Sequence, residues 1–370
     1  MQISMEQRCL LWLSSAEIQP SVLERLASRH QGVEGVWEAF GKRGGPEFPP
    51  SEHKVLKSLH SDAAIDGLLE RLERINVRLL FPQDPYYPEQ LHAIDDPPYL
   101  LYYAGDLECL KMPMLTIIGA RRCSSYGREV AFTMARDLCK AGMCVVSGLA
   151  RGIDCAAHLG ALEAGGRTVG ILGSGINVPY PPEHAPMFRQ IAGGIGLILS
   201  EYPLDAEPKG FHFPFRNRIM SGLSLGVVFV EGQVRSGSMH TVSAALAQGR
   251  EIFAVPGRVG TEVAQGPHTV IREGARLVTS AADILEDLGL ETQPCETGED
   301  ETISLTDIQR EILRQLGVEA LDVQELSCRL DRDGSELLGE LGTLEILGLI
   351  RREAGNRFCL SLQTGNRGGV

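Results

Sequence analysis

The chain has 370 residues, 43% of them hydrophobic, and a formal net charge of -13. That length accommodates two or three domains, each able to bury a core, and so excludes a wholly disordered chain. No apolar run is long enough to span a bilayer, no secretory signal pattern opens the sequence, and the nine cysteines include no C-x-x-C pair or His/Cys cluster; membrane, disulfide-framework and zinc classes are set aside and a reducing cytoplasm is expected.

In chain order, residues 6–13 and 21–40 are apolar runs interrupted by Pro20, Gly32 and Gly35, followed by a loop at 41–50 (GKRGGPEFPP). Residues 62–75 (DAAIDGLLERLERI) place apolar side chains at helical spacing behind a Ser61 or Asp62 cap, so a small helical domain is predicted over 1–78. Five prolines in 81–98 predict an ordered connector.

Beyond Pro113, apolar strands at 115–118, 144–147, 168–172, 197–200, 227–230 and 252–255 alternate with helices, the clearest at 128–141, 154–164 and 239–248. Continuous apolar strands are buried on both faces, which predicts a Rossmann-like, doubly wound, mostly parallel α/β sheet over 79–290. Residues 291–304 (ETQPCETGEDETIS) form an acidic linker. Three short helices at 306–316, 323–330 and 335–347 and a hairpin at 349–360 then predict a winged-helix domain over 305–370.

The net charge argues against a nucleic-acid partner, but it is unevenly placed. Residues 111–290 hold 17 Lys and Arg against 15 acids, whereas 291–345 hold 4 Arg against 15 acids. Near-neutrality by itself fits an average globular surface equally well, so position decides.

Ligands of an open parallel sheet bind beyond the carboxyl ends of its strands. There the sequence places Gly119, Arg121, Arg122 and Ser124 in the first loop, Gly148 and Arg151 in the second, and Gly173 and Gly175 in the third. Glycine permits close backbone approach and a following helix N-terminus offers N–H groups to a phosphate. The longest loop interleaves cations and rings in Lys209, Phe211, Phe213, Phe215, Arg216 and Asn217, and Arg235, Ser236, Gly237 and Ser238 form a further anion loop ahead of a helix. Phosphates pair with cations while unpaired bases stack on rings, each stack contributing about 1–3 kcal/mol, so single-stranded DNA is the expected ligand.

Structural roles compete for several of these residues. Phe211, Phe213 and Phe215 alternate as a strand would, and one or two are expected in the core. His158, His212, His240 and His268 share no motif spacing and are assigned no catalytic role. Asp154 and Glu231 could serve as catalytic carboxylates, although Asp154 stands where a helix N-cap is expected.

Together, GARRCSSYG (119–127), SGLARGIDCAAH (147–158), LGSGINVPYP (172–181), SEYP (200–203), FHFPFRNRIMSGLS (211–224), RSGSMHT (235–241) and GREIFAVPG (249–257) strongly resemble the DNA processing protein A family, DprA or Smf. Residues 84–105 resemble that family's lead-in. The resemblance implies a non-enzymatic recombination mediator without cofactor or metal: a homodimer that binds incoming single-stranded DNA cooperatively, protects it and loads RecA in natural transformation. Mapped onto this chain, the family's DNA pocket would fall on Gly119, Arg121 and Ser124 and on Lys209, Phe213, Arg216 and Asn217. Pro182 and Glu183 stand where some members carry a basic residue, which would remove one phosphate contact. The family's sterile-alpha-motif-like N-domain and winged-helix C-domain match the reading of both ends.

The presumed recognition helix and its approach hold Asp331, Asp333, Glu336, Glu340 and Glu345 with Arg332 beside them, so phosphate repulsion points to protein contact or regulation rather than duplex reading. The main alternative is a Rossmann nucleotide phosphoribohydrolase-like enzyme. Its P-G-G-x-G-T-x-x-E signature is replaced here by Arg235 to Thr241, with no helix glutamate to act as base. An NAD oxidoreductase lacks both G-x-G-x-x-G and a ribose-binding acid, and a pure scaffold leaves the arginines of the strand-end loops unexplained.

Overall fold

The computed structural model describes residues 3–45, 47–290, 305–316, 320–347, 349–353 and 356–360. Contacts divide the chain into two compact units, Met1–Gln293 and Pro294–Val370. The predicted linker at 291–304 lies outside the described residues.

The first unit opens with α1 (Met5–Ser14), α2 (Pro20–His30), α3 (Val33–Arg43), α4 (Pro50–Leu59) and α5 (Asp62–Arg74). Ser4 and Gln7 make a capping box on α1, and the Ser61 hydroxyl accepts the Ala64 N–H on α5. Fully buried Trp12 packs edge-on against Trp37 and Phe40, at 5.0 and 5.1 Å, and donates Nε1–H to the Leu56 carbonyl at 2.8 Å. That core does not end with the helices: Leu72 and Trp12 share one cluster with Tyr102, Leu172 and Ile198 of the sheet. Tyr99 donates its hydroxyl proton to the Ile18 carbonyl at 2.7 Å, closing the same seam.

The remaining elements of this unit are β1 (Arg78–Leu80), α6 (Glu89–His92), β2 (Leu101–Gly105), β3 (Met114–Ile118), α7 (Ser125–Lys140), β4 (Cys144–Ser147), α8 (Ile153–Glu163), β5 (Thr168–Leu172), α9 (Ala185–Gln190) and β6 (Leu197–Ser200). They continue with α10 (His212–Leu223), β7 (Gly226–Phe229), α11 (Gly237–Ala247), β8 (Glu251–Ala254), α12 (Gln265–Arg272), β9 (Arg276–Leu277) and α13 (Ala281–Asp287). The nine strands form one sheet in the order β1-β2-β6-β5-β4-β3-β7-β8-β9. The pairs β1–β2 and β2–β6 are antiparallel and the rest are parallel. The chain winds outward from β3 to β6 and returns through α10 to place β7 on the other side of β3. The order thus reverses between β3 and β7, the position where doubly wound sheets open a crevice.

Two predictions need correction. α7 starts at Ser125, three residues before the predicted 128, because the Ser124 side chain caps it. Phe211 to Phe215 form no strand: Phe211 is the N-cap residue of α10 and the other two rings lie in its first turn. None of the three phenylalanines is buried, with Phe211 63% exposed and the others partly covered.

The second unit comprises α14 (Asp307–Leu316), α15 (Val323–Leu330), α16 (Gly334–Ile346) and the antiparallel hairpin β10 (Ile350–Glu353) and β11 (Arg357–Leu360), a winged helix around Ile312, Leu326, Leu341 and Phe358. Among the described residues no helix is long and apolar enough to cross a membrane.

Candidate nucleic-acid interface

A cavity of about 730 Å³ opens at the switch point between β3 and β7, lined by the loops after these strands and by the first turns of α10 and α11. Arg121 and Arg122 rise from the loop after β3, both exposed. The Arg121 guanidinium lies over the Phe213 ring, 5.1 Å from its centroid. Such a cation–π contact contributes about 0.5–1 kcal/mol at an exposed site and leaves the N–H groups available. Arg235, after β7, is exposed as well. None of these three side chains enters an ion pair with the described residues.

Ser236 is the N-cap residue of α11, yet it makes no side-chain cap, and its buried Oγ has no hydrogen-bond partner among the described residues. Ser236, Gly237 and Ser238 all line the cavity. The first N–H groups of a helix have no intrahelical acceptor and carry the positive end of its dipole, so this turn offers donors to an anion.

The helix after β3 behaves differently, which overturns the expectation that its N-terminus is free. Glu231, 4% exposed, accepts the Ser124 N–H at 2.8 Å and the Ser124 hydroxyl at 2.5 Å. Ser124 Oγ in turn accepts the Gly127 N–H at 3.0 Å. The anion of this helix start is therefore a protein carboxylate, and Ser124 has no donor left for a phosphate. Glu231, read from sequence as a possible catalytic group, is a clamp.

Arg216, read as a phosphate ligand, does line the cavity, but it is 4% exposed and its Nη1 donates inward to the carbonyls of Gly148, at 3.0 Å, and Ile171. Burial pushes its guanidinium down to about 10, partly offset by attraction to Asp154. Asn217, 6% exposed, accepts from Arg216 Nε at 3.0 Å and donates to the Gly237 carbonyl at 3.3 Å, fastening α10 to α11. Asp154 is not the N-cap of α8, a position held by Gly152; it accepts the N–H groups of Gly148 at 3.1 Å and Ala150 at 3.4 Å. Burial raises its carboxyl above the usual range.

The strand-end glycines are packed closely against neighbours, and of the four Gly119 also lines the cavity. A Cβ on Gly148 would strike the Arg216 guanidinium, on Gly119 the Ile153 side chain, on Gly173 the Phe213 ring and on Gly175 the Pro203 carbonyl. Two further cations are paired: Arg151 with Glu183, the acid already noted as a departure, and Lys209 with Glu17. The Lys209 ammonium is also 6.0 Å from the centroid of the exposed Phe211 ring. Sequence reasoning missed Tyr180, Gln233 and His240, which also line the cavity. Tyr180, 5.7 Å from Phe213, lay inside a quoted motif without being singled out.

Fold and crevice define a class: a Rossmann-like α/β protein with a cationic opening at its switch point, joined in one chain to a winged helix. The family described as DNA recombination-mediator protein A matches residues 78–289, and the DprA winged helix domain matches 297–356. The chain belongs to this DprA/Smf family of DNA processing proteins. Protein Smf of Escherichia coli (strain K12) is 37% identical over 293 residues, 78% of each chain. DNA processing protein DprA of Streptococcus pneumoniae is 43% identical over 202 residues, 55% of this chain and 71% of the relative. The crystal structure of DprA from Streptococcus pneumoniae superposes with a TM-score of 0.65 at 34% identity, covering 78% of this chain and 99% of that one. DNA processing protein A from Helicobacter pylori, whose structure is described for its unique single-stranded DNA binding mode, superposes with a TM-score of 0.52 at 30% identity over 57% of this chain and 95% of that one.

Proposed function

We propose that this chain binds single-stranded DNA across the switch-point crevice and acts as a recombination mediator, protecting the strand and loading RecA onto it as a cytoplasmic homodimer during natural transformation. The observation that carries this reading is the Arg121 guanidinium resting on Phe213 in the cavity that the uncapped first turn of α11 also lines. Phosphate oxygens meet Arg121, Arg122, Arg235 and the N–H groups of Gly237 and Ser238, while bases find Phe213, Tyr180 and the exposed Phe211 as stacking faces. The single-strand binding of the Helicobacter pylori relative supports the same assignment.

A binding role without catalysis fits the acids. Among the residues lining the cavity Asp154 is the one carboxylate, and it is committed to two backbone N–H groups beneath the floor. The phosphoribohydrolase-like alternative requires a carboxylate free to move a proton. The winged helix is assigned to protein contact or regulation, since Asp333 caps α16 and Glu336 and Glu345 accompany it. Deleting residues 305–370 should then leave single-strand affinity in place.

Competition anisotropy tests the main reading: unlabelled single strand should displace a labelled thymine oligonucleotide far better than duplex does. Arg121→Ala should weaken binding about tenfold, for all sequences alike, and flatten the salt dependence by about 0.7 in log–log slope. Equal displacement by duplex would overturn the proposal. RecA loading is read from RecA filament formation on coated single strands with and without the protein, and the dimer from light scattering during gel filtration.

A further inference from the structure

Lys209 has neighbours on both sides that line the crevice, Pro208 and Gly210, yet its own side chain is held elsewhere. The ammonium lies 2.9 and 2.7 Å from the two carboxylate oxygens of Glu17, in the turn between α1 and α2. Glu17, Phe211 and His212 line a neighbouring cavity of about 440 Å³. Glu17 is well anchored there. Its backbone is left-handed, with φ 56, its N–H is bonded to the Ser14 carbonyl at 2.9 Å, and its Oε2 is 3.2 Å from His212 Nε2. His212 in turn faces the Gly173 carbonyl through Nδ1 at 3.1 Å. The hydrogen bond to His212, followed by the contacts of Lys209, holds the Glu17 carboxyl below the usual range, so it stays ionised at neutral pH.

We propose that Glu17 is an internal competitor for the nucleic-acid backbone: its carboxylate occupies the ammonium that a DNA phosphate would otherwise take, and so sets how tightly the crevice holds a strand. This inference rests on the reading of the crevice as a single-strand site. A carboxylate and a phosphate present the same anionic oxygens to an ammonium. Lysine is a point charge on a flexible four-carbon stem, free to exchange one for the other. The Lys209 side chain is 44% exposed, within the range where ion pairs are weak enough to be traded. A Cβ on Gly210 would meet nothing within 4 Å, so the backbone next to Lys209 borders open space. Glu17 acts on the ligand through Lys209 and is a positioning residue.

The test uses the full chain and a labelled thymine oligonucleotide across a salt series. Glu17→Gln keeps the shape of the side chain and removes the charge. It should bind about three- to tenfold tighter at low salt, with a slope steeper by about 0.7 as one more phosphate is neutralised. Lys209→Ala should cost more in the Glu17→Gln background than in the wild type. Should Glu17→Gln melt early in a thermal scan, Glu17→Asn, equally uncharged and tolerated at the left-handed φ of 56, serves instead with the same expected direction. A merely structural ion pair would move the melting temperature and leave the salt slope alone. Wild-type binding that neither variant tightens, or tightening that survives the loss of Lys209, overturns this proposal and leaves the crevice reading standing. No single-strand binding by any variant sinks the crevice reading, and this one with it.

Discussion

The helices after β3 and β7 leave their strands through loops of similar composition, glycine, serine and arginine, and they end up as opposites. At α7 the anion position is filled from within by Glu231, with Ser124 as cap. At α11 the corresponding serine caps nothing and its hydroxyl is unpartnered among the described residues. A helix N-terminus beside a glycine is thus a latent anion site that becomes a real one only where no carboxylate of the same chain reaches it. The same division runs along the rim: Arg151 at the β4 end is paired with Glu183, whereas Arg121 and Arg122 at the β3–β7 gap enter no ion pair among the described residues.

The sharpest way to break this division is Arg216→Ala. The substitution leaves the Gly148 and Ile171 carbonyls without their donor and Asp154 without its nearest buried positive charge. Stripping one member from a buried charged network costs about 3–5 kcal/mol, and a urea melt should show that loss. If instead the variant keeps its melting midpoint and loses DNA, Arg216 belongs to the open half.

A second test concerns acid. His158, fully buried in α8, has Nδ1 2.7 Å from Thr168 Oγ1 and an unpartnered Nε2 among the described residues. Burial, with repulsion from His184 and Arg216, pushes its pKa down to about 3 from 6.5. A depressed histidine is protonated first in the unfolded chain, so stability is retained above 6.5 and drains away as pH falls toward 3. The linkage amounts to about 3 kcal/mol between pH 7 and pH 4. His158→Asn should shrink the pH 7-to-4 loss of stability by about that amount, and an unchanged loss would show that the ring is not held neutral.

How much of this was legible depended on range. The strands at 144–147, 168–172 and 197–200 fall on their predicted residues, because strands buried on both faces must be apolar throughout. The first turn of α10 was misread, since three phenylalanines at alternate positions mimic a strand over a stretch too short for the helical period to show. The enrichment of cations and rings along the rim was visible. Their use was not: Glu17 meets Lys209 across 192 positions and Glu231 meets Ser124 across 107, pairings that composition does not encode.

The smallest predicted effect is also the most direct comparison of the two helix starts. Ser124→Ala removes a hydroxyl that accepts from Gly127 and donates to Glu231, and should cost about 1–2 kcal/mol, the usual loss for a working N-cap. Ser236→Ala removes a hydroxyl with no hydrogen-bond partner among the described residues, and its cost should stay within about 0.5 kcal/mol. Affinity should rank the other way, with Ser236→Ala weakening single-strand binding and Ser124→Ala sparing it, because Ser236 lines the cavity with its hydroxyl uncommitted, whereas that of Ser124 is held by Glu231. Urea melts and anisotropy on the two variants decide the matter. Equal stability losses would mean that α11 is capped in solution after all, and the open half of the rim would lose its distinguishing feature.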